Sequence, residues 1–253
     1  MKPKRSICVV IPAAGEGRRL GQAIPKILVP LTSEKTVWEI LHGKLSPLVE
    51  RTHVVLSNKG AKLFQKQFLR SKALKEVTIS IQSTPKGMGD AIFGSYDHWK
   101  KFDHILIMWG DQVNVSSGTL EAVVQFQRDA VENTLTLAIN MVSNPYVQCD
   151  FNKDRSSLLK IRQSREGDIC DKKGFQDVGV FGLSTKSLMK SWNEYVRGAS
   201  LGEQTKEINF LPFFVHLSKD LKWRLNLVEV KDPLESRGIN TLEDLEFFRK
   251  KFN

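Results

Sequence analysis

Short, nearly continuous apolar runs alternate with amphipathic stretches along the first part of the chain, up to about Tyr146. Strands buried on both faces of a parallel sheet give such runs, and the stretches between them have the period of helices. The alternation predicts a doubly wound α/β fold around a largely parallel sheet, with less regular structure afterwards. The predicted strands are 7–12, 52–56, 77–82, 105–108, 134–142, 158–161, 178–183 and 224–230, and the predicted helices are 36–48, 61–69, 89–101, 119–132, 186–197 and 245–252.

The composition is that of one globular domain. The 253 residues are 41% hydrophobic and 26% charged, and no linker or internal repeat divides them, so we expect a single domain over residues 1–253. The longest apolar stretches, 7–14 and 105–109, fall short of the roughly 20 residues of a membrane-spanning helix, and no cleavage site follows the first. The three cysteines are far apart, which predicts neither a disulfide framework nor a zinc site. We therefore expect a cytoplasmic protein without a membrane partner.

The chain is strongly basic. Its 38 Lys and Arg residues against 28 Asp and Glu give a net charge of +10. This excess suits an anionic partner, either nucleic acid or phosphorylated metabolites. The basic residues are spread along the chain, and neither a zinc-finger pattern nor a basic zipper is present. We therefore expect phosphorylated small molecules as partners and no nucleic acid, while the oligomeric state stays open.

A glycine-rich, basic segment follows the first predicted strand. It contains Gly15 and Gly17 and ends in Pro25-Lys26. Glycines let backbone N–H groups approach a polyphosphate, and Arg19 with Lys26 would neutralise its charge. The glycines alone fit an ordinary flexible turn equally well. A dinucleotide-binding loop is disfavoured, because that loop opens a helix at once and Pro25 would stop a helix here.

A carboxylate stands at the end of another buried strand. Asp111 follows the apolar run 105–108, at the carboxyl edge of the predicted parallel sheet, where open α/β folds bind ligands. A lone aspartate in this place is often only a turn or cap residue. Beside a phosphate-binding loop, however, one carboxylate and the substrate phosphates supply the oxygens that magnesium favours. Asp111 is therefore a predicted Mg2+ ligand.

Two further patterns carry no predicted chemistry. Gly198-Ala199-Ser200-Leu201-Gly202 has the spacing of a nucleophile elbow, but a predicted helix precedes it where that motif requires a strand. The histidines stand in unrelated contexts without metal-ligand spacing, so core or surface roles are expected for all of them. They are His42, His53, His98, His104 and His216.

Several segments together resemble the motifs of sugar nucleotidyltransferases, in particular the uridylyltransferase domain of N-acetylglucosamine-1-phosphate uridylyltransferase. They occur in the family's order across nearly the whole chain, and this order is harder to imitate than any single motif. The segments are Ala13-Ala14-Gly15-Glu16-Gly17-Arg18-Arg19-Leu20 with Pro25-Lys26, Gly87-Met88-Gly89-Asp90-Ala91, Trp109-Gly110-Asp111, Asp177-Val178-Gly179, Glu207-Ile208-Asn209-Phe210 and Gly238-Ile239-Asn240-Thr241.

The resemblance implies a Rossmann-like, three-layer α/β/α nucleotidyltransferase fold of the GT-A-like type, with a mixed, mostly parallel sheet. It also implies transfer of a nucleoside monophosphate, from UTP, to a sugar 1-phosphate with Mg2+ as cofactor. Residues 1–115 would form the nucleotide-binding half, and residues 116–253 the sugar-phosphate half with the C-terminal helix. The implied roles are catalytic for Arg19 and Lys26; metal-binding for Asp111 and Asn240; nucleotide-binding for Ala13, Ala14, Gly15, Gly17, Gln82, Gly87, Met88 and Asp90; and sugar-binding for Gln163, Asp177, Gly179, Glu207 and Asn209.

The acceptor half departs from the family pattern at three places. Gln163 stands where the family has glutamate, Asp177 where asparagine is common, and Cys149 or Asp150 where glycine is usual. These departures leave the identity of the sugar open. Two alternatives also remain: a nucleotidyltransferase for a non-sugar phosphorylated acceptor, of the cytidylyltransferase kind, and a non-catalytic nucleotide-sugar-binding protein. The second would require loss of a metal ligand or phosphate-binding cation, and the sequence retains all of these.

Overall fold

The computed structural model describes residues 4–15, 17, 20–21, 24–68, 76–84 and 86–252. Strands and helices alternate through these residues, as the apolar pattern predicts. The strands are β1 Ile7–Ala13, β2 Arg51–Leu56, β3 Val77–Ile81, β4 His104–Met108, β5 Thr134–Ser143, β6 Val147–Phe151, β7 Leu158–Gln163, β8 Lys173–Ser184 and β9 Arg224–Glu229. The α-helices are α1 Val37–Leu45, α2 Asn58–Gln67, α3 Met88–Gly94, α4 Tyr96–Trp99, α5 Ser117–Asp129, α6 Leu188–Gly198, α7 Pro212–Val215 and α8 Leu242–Phe252.

One sheet organises the molecule, with the strand order β3-β2-β1-β4-β8-β5-β9. Every neighbouring pair on this path is parallel except the two that involve β8, so six of the seven strands point the same way. The hairpin of β6 and β7 joins this sheet through the pairing of Cys149 with Phe175 on β8. The predicted α/β fold with a mixed, mostly parallel sheet is confirmed.

The reversed strand β8 is unusually long. It pairs with β5 from Lys173 onward but with β4 only through Val180 to Ser184. Its first part, residues 173–179, therefore extends beyond the carboxyl end of β4. This extension lies at the edge where the ligands of parallel sheets bind.

Hydrophobic residues pack on both faces of the sheet. On β1, Ile7, Val9 and Ile11 belong to one buried cluster, while Cys8 and Val10 belong to the other. Helices α1, α2, α5 and α8 pack in the first cluster, and α3, α4, α6 and α7 pack in the second. This arrangement forms the three-layer α/β/α structure. Within the described part of the chain, every helix is too short or too polar to cross a lipid bilayer.

Side-chain caps fix where two of the longer helices begin. Thr36 accepts a hydrogen bond from the Glu39 N–H, and the Glu39 carboxylate accepts from the Thr36 N–H at 2.9 Å, which forms a complete capping box for α1. Ser116 accepts from the Thr119 N–H at 3.1 Å at the start of α5. Each cap satisfies backbone donors that have no partner within the helix.

The structure differs from the sequence-based expectation in four elements. The predicted helix 89–101 is two helices, α3 and α4, which meet at Ser95. Strand β6 was not predicted, because only Gln148 and Cys149 of its five residues are buried and it has no continuous apolar run. The short helix α7 and the π-helix His216–Asp220 that follows it were not predicted either. The helix expected before the Gly198 motif is present as α6, so the rejection of a nucleophile elbow is confirmed.

The expected core or surface roles of the histidines fit His53 and His98, which lie next to each other. The rings of His53 and His98 stack with their centroids 4.1 Å apart. The two ring nitrogens of His53 hydrogen-bond Thr78 and Ser80, each at 2.9 Å. Burial, together with the neighbouring His98 and Arg51, lowers the pKa of His53 to about 3. His53 is therefore a neutral, buried polar group beside His98.

A pair of glycines on α3 tests the packing between α3 and α6. A Cβ at Gly89 would lie 2.2 Å from the Trp192 ring, whereas a Cβ at Gly94 would meet nothing within 4 Å. We expect Gly89→Ala to lower the free energy of unfolding by about 1 to 3 kcal/mol through overpacking. Gly94→Ala should leave it unchanged or raise it by up to about 1 kcal/mol. Urea denaturation of both variants measures the difference, and equal effects would contradict the described packing.

Candidate active site

A cleft of about 490 Å³ lies at the carboxyl edge of the parallel strands β1 and β4. Segments from both halves of the chain line it. The lining residues are Pro12, Ala13, Gly15, Gly17, Lys26, Ile27, Met88, Trp109, Gly110, Asp111, Gln112, Tyr146, Val147, Gln163, Arg165, Gln176, Asp177, Leu211, Ser236, Arg237, Gly238, Asn240 and Asp244.

The ammonium group of Lys26 is the centre of the polar part of this cleft. It donates hydrogen bonds to Asp111 Oδ2 at 3.1 Å and to Asn240 Oδ1 at 3.0 Å. The side chains of Lys26 and Asp111 are 24% and 19% exposed, so the ion pair is only partly open to solvent. Two oxygens from distant parts of the chain thus converge on one cation.

The loop that carries Asn240 is held against Asp111 by its backbone. The Ile239 N–H donates to the Asp111 carbonyl oxygen at 3.1 Å, and a Cβ at Gly238 would lie 3.2 Å from Asp111 Oδ1. On the other side of the loop, Asp244 Oδ2 accepts from the backbone N–H of Asn240 at 3.0 Å. Burial tends to raise the pKa of Asp244, but hydrogen bonds from Arg237 and this loop outweigh it and hold the pKa below its usual value. Asp244 therefore stays ionised and fixes the loop.

Asp111 and Asn240 fit a hard divalent cation. A carboxylate oxygen and an amide oxygen are ligands that Mg2+ accepts, and both already bind one positive charge at a shared point. Among the described residues no group of three His, Cys, Asp or Glu side chains is placed to hold a metal. A metal here would therefore depend on oxygens from a bound phosphate, which is how proteins commonly hold Mg2+.

The turn before α3 is organised by Gln82. Its side-chain amide donates to the Gly87 carbonyl oxygen at 3.1 Å and to Asp90 Oδ2 at 2.7 Å. Gly87 has φ of 96°, which favours glycine, and a Cβ there would lie 3.1 Å from Glu207 Oε2. Gln82 thus holds the turn that presents Met88 to the cleft.

Asp177 lies buried in the opposite wall of the cleft, on the extended part of β8. Only 8% of the residue is exposed, and its Oδ1 accepts from the Gly179 N–H at 2.8 Å. Burial raises the pKa of Asp177 to about 6, although backbone hydrogen bonds act in the opposite direction. Gly179 has φ of 77°, and a Cβ there would lie 2.7 Å from Trp109 Cδ1, so glycine is required beside the Trp109 ring.

The rest of this wall comes from the β6–β7 hairpin and the turn after it. Arg162 binds Asp150 through Nε and Nη2, each at 2.8 Å, and Asp171 through Nη2 at 2.8 Å. The Gln176 side chain accepts from the Tyr146 N–H at 2.7 Å. These contacts fix the hairpin against β8, beside Gln176 and Asp177 in the lining of the cleft.

The structure brings many of the predicted site residues to the cleft but not all of them. Arg19 lies outside the described residues. The predicted residues that line the cleft are Ala13, Gly15, Gly17, Lys26, Met88, Asp111, Gln163, Asp177 and Asn240. Those that are described but do not line it are Ala14, Gln82, Gly87, Asp90, Gly179, Glu207 and Asn209.

Five prominent lining residues were not predicted as site residues. No local pattern distinguishes them, because antiparallel pairings and the packing of the chain's end bring them to the cleft. Only Trp109 had a signal, since it directly precedes the predicted metal segment. The five are Trp109, Tyr146, Arg165, Gln176 and Arg237.

Comparison with known proteins identifies the family. A model of the MobA-like NTP transferase domain matches residues 9–149, more than half of the chain. The chain belongs to this family. The resemblance to nucleotidyltransferases that the motifs carry is thereby confirmed.

Similarity to relatives extends over nearly the whole of this chain. Bifunctional protein GlmU of Buchnera aphidicola subsp. Schizaphis graminum is 24% identical over 253 residues, which cover 98% of this chain and 51% of that protein. The chain therefore spans about half the length of the curated relatives it matches.

Solved structures share the nucleotidyltransferase fold. A Bacillus anthracis protein assigned as a glucose-1-phosphate thymidylyltransferase, solved with sucrose, superposes with a TM-score of 0.74 at 13% identity, over 97% of this chain and 95% of that chain. CMP:2-keto-3-deoxy-manno-octonic acid synthetase complexed with CTP superposes with a TM-score of 0.70 at 15% identity, over 98% of both chains. At these identities the similarity shows the fold.

The buried carboxylate of Asp177 makes stability depend on pH in a predictable direction. Its pKa in the folded protein, about 6, lies above the ordinary value of an aspartate. Its contribution to stability is therefore fully present below about pH 4 and is lost as the pH rises through about 6. Asp177→Asn keeps the acceptor oxygen for the Gly179 N–H but removes the charge.

We expect Asp177→Asn to gain stability relative to wild type by about 2 to 3 kcal/mol more at pH 8 than at pH 4, because the raised pKa differs from the ordinary one by roughly two units of about 1.4 kcal/mol each. Urea denaturation at both pH values measures this difference. Asp129→Asn, at an exposed position on α5, controls for the general effect of removing a carboxylate. A stability difference that does not change with pH would show that Asp177 has an ordinary pKa.

Proposed function

We propose that this protein transfers a nucleoside monophosphate from a nucleoside triphosphate, UTP, to a sugar 1-phosphate and releases pyrophosphate. The observation that carries the proposal is the convergence of Lys26, Asp111 and Asn240 beside the glycine-containing loop, in a cleft at the carboxyl edge of a nucleotidyltransferase fold. We further propose that residues 1–253 act as one domain, with residues 1–115 binding the nucleotide and residues 116–253 the acceptor.

The triphosphate would bind where the first strand ends. Ala13, Gly15 and Gly17 border the cleft at this point, and glycines allow a phosphate to approach the backbone closely. The ammonium of Lys26 stands beside them and would meet the negative charge of the phosphates. We propose the same task for Arg19 from its position in the sequence. Gln82 and Asp90 would act indirectly, by holding the turn that presents Met88 to the nucleotide.

The proposed reaction is an in-line displacement at the α-phosphorus. An oxygen of the sugar 1-phosphate forms the new P–O bond, and the bond between the α-phosphorus and the bridging oxygen breaks, with its electrons leaving on pyrophosphate. The attacking phosphate is mostly dianionic at neutral pH, since its second pKa is about 6, so no general base is required. The protein's contribution is to position the two substrates and to stabilise the negative charge, through Lys26 above all.

Mg2+ is the proposed cofactor, and Asp111 and Asn240 would hold it. When bound, it would neutralise charge on the phosphate oxygens and help orient them. Lys26 contacts both of these residues, so we expect its ammonium to move toward the phosphates when a metal takes its place.

A second candidate differs only in the acceptor. The acceptor half departs from the pattern of sugar-binding relatives at Gln163 and Asp177, which supports a non-sugar phosphorylated acceptor of the cytidylyltransferase kind. A non-catalytic nucleotide-sugar-binding role finds less support, because Lys26, Asp111 and Asn240 are in place. A pyrophosphate-release screen of the purified protein with Mg2+, over several nucleoside triphosphates and phosphorylated acceptors, tests all three. Failure of every combination would contradict an enzymatic function.

Loss of the carboxylate at Asp111 should abolish turnover. Asp111→Ala removes the charged oxygen ligand and leaves the strand β4 core untouched, because the side chain projects into the cleft. Pyrophosphate release measures activity, and the urea midpoint confirms that the variant is folded. Undiminished activity with the same Mg2+ dependence would disprove the assignment.

Removal of the Lys26 ammonium should act on the chemical step. We expect Lys26→Ala to lower kcat by about 100-fold or more, as is typical when a group that stabilises developing charge is lost. Lys35→Ala, at an exposed position, removes the same charge outside the cleft and should leave kcat unchanged. If Lys26→Ala raises KM without lowering kcat, Lys26 serves binding of the ground state only.

A further inference from the structure

The carboxylate of Asp177 has no positive partner among the described residues. Backbone N–H groups, that of Gly179 and its own, act on its side chain, and no described Lys, Arg or His forms an ion pair with it. Burial without a compensating charge is why its pKa is raised. A buried carboxylate in this situation makes the folded protein less stable at neutral pH.

The local turn does not require the charge. The bond from the Gly179 N–H uses Oδ1 alone, and the amide oxygen of an asparagine would accept the same bond. The negative charge is therefore not required for the bond that holds this turn. Because Asp177 borders the cleft, a bound ligand is placed to use it.

Aromatic rings line the same region of the cleft. Trp109 packs against the Gly179 turn, and Tyr146, which is 50% exposed, borders the cleft from the β6–β7 side. Aromatic faces attract cations, most strongly when the cation is removed from water. A carboxylate and aromatic rings together are a site for an organic cation.

We infer that the acceptor is a phosphate monoester that carries a positively charged amino group, and that Asp177 binds this ammonium with the help of the neighbouring aromatic rings. This inference rests on the proposed function. The phosphate of the acceptor faces the Lys26 end of the cleft, and its ammonium faces the Asp177 end. Amino-sugar 1-phosphates and aminoalkyl phosphates share this chemistry. Asp177 is thus a residue that determines specificity and takes no part in bond making.

Two matched pairs of acceptors distinguish amino-sugar 1-phosphates from aminoalkyl phosphates. The first pair is glucosamine 1-phosphate with glucose 1-phosphate, and the second is phosphoethanolamine with 2-hydroxyethyl phosphate. Each pair differs only by an amine in place of a hydroxyl. At pH 7, where aliphatic amines are mostly protonated, we expect the amine of at least one pair to have a kcat/KM about 10-fold or more above that of its hydroxyl partner. Pyrophosphate release in the presence of Mg2+ measures these values, and calorimetry measures the affinity of each acceptor without turnover.

Asp177→Asn should remove this preference. The variant keeps the Gly179 turn, so we expect its kcat/KM for the amine to fall about 10-fold or more, while that for the hydroxyl partner changes little. Asp129→Asn, which loses the same charge at an exposed position, should keep the preference. Equal use of amine and hydroxyl by the wild type, equal losses in the variant, or no binding of either amine would each overturn the inference.

The readouts separate this inference from the proposed function. Turnover of neutral acceptors alone would support the nucleotidyltransferase function and overturn the inference. Amine-selective binding in calorimetry that is lost in Asp177→Asn, without pyrophosphate release from any triphosphate, would support the inference about the binding site and contradict the proposed reaction.

Discussion

The contact of Lys26 with Asp111 and Asn240 joins three segments that are remote in sequence. Its two bonds span 85 and 214 residues, so the loop after β1, the end of β4 and the segment before α8 meet at one ammonium group. The pair is partly shielded from water, and charge-assisted bonds of this kind are stronger than exposed ion pairs. The polar side of the cleft depends on this contact, because the backbone hydrogen bonds that orient Asn240 also hold its loop against Asp111.

Much of the fold follows from local sequence, for a physical reason. Strands β1 and β4 are buried on both faces, and this burial demands unbroken apolar runs that are visible in the sequence. Strand β6 has no such run, since part of it stays accessible to solvent. The break between α3 and α4 at Ser95 depends on how the Trp99 side chain folds back to bond the Ile92 carbonyl oxygen, a contact that periodicity does not reveal.

Some residues of the candidate site can likewise be predicted from the sequence, and others cannot. Lys26, Asp111 and Asn240 stand in motifs whose chemistry is recognisable from the sequence alone, and the fold places all three together. In the part of the lining that comes from β8 and the β6–β7 hairpin, Asp177 stands in a recognisable motif, but most of its neighbours stand in none. Tyr146, Arg165 and Gln176 reach the cleft through antiparallel pairings of β6, β7 and β8, which bring together residues from three separate segments. Their roles depend on tertiary contacts, and spacing along the chain does not encode those contacts.

Strand β8 runs opposite to its neighbours β4 and β5, and this direction has a consequence for how the cleft can change in evolution. In a purely parallel sheet, every residue at the ligand edge belongs to a loop that also leads into a helix, so a change there disturbs both. The first part of β8 instead projects past β4 while its second part remains anchored between β4 and β5. Substitutions on the projecting part, where Asp177 lies, change residues that line the cleft and leave the loop after β1 unchanged. One part of the cleft lining can thereby change while the other is retained.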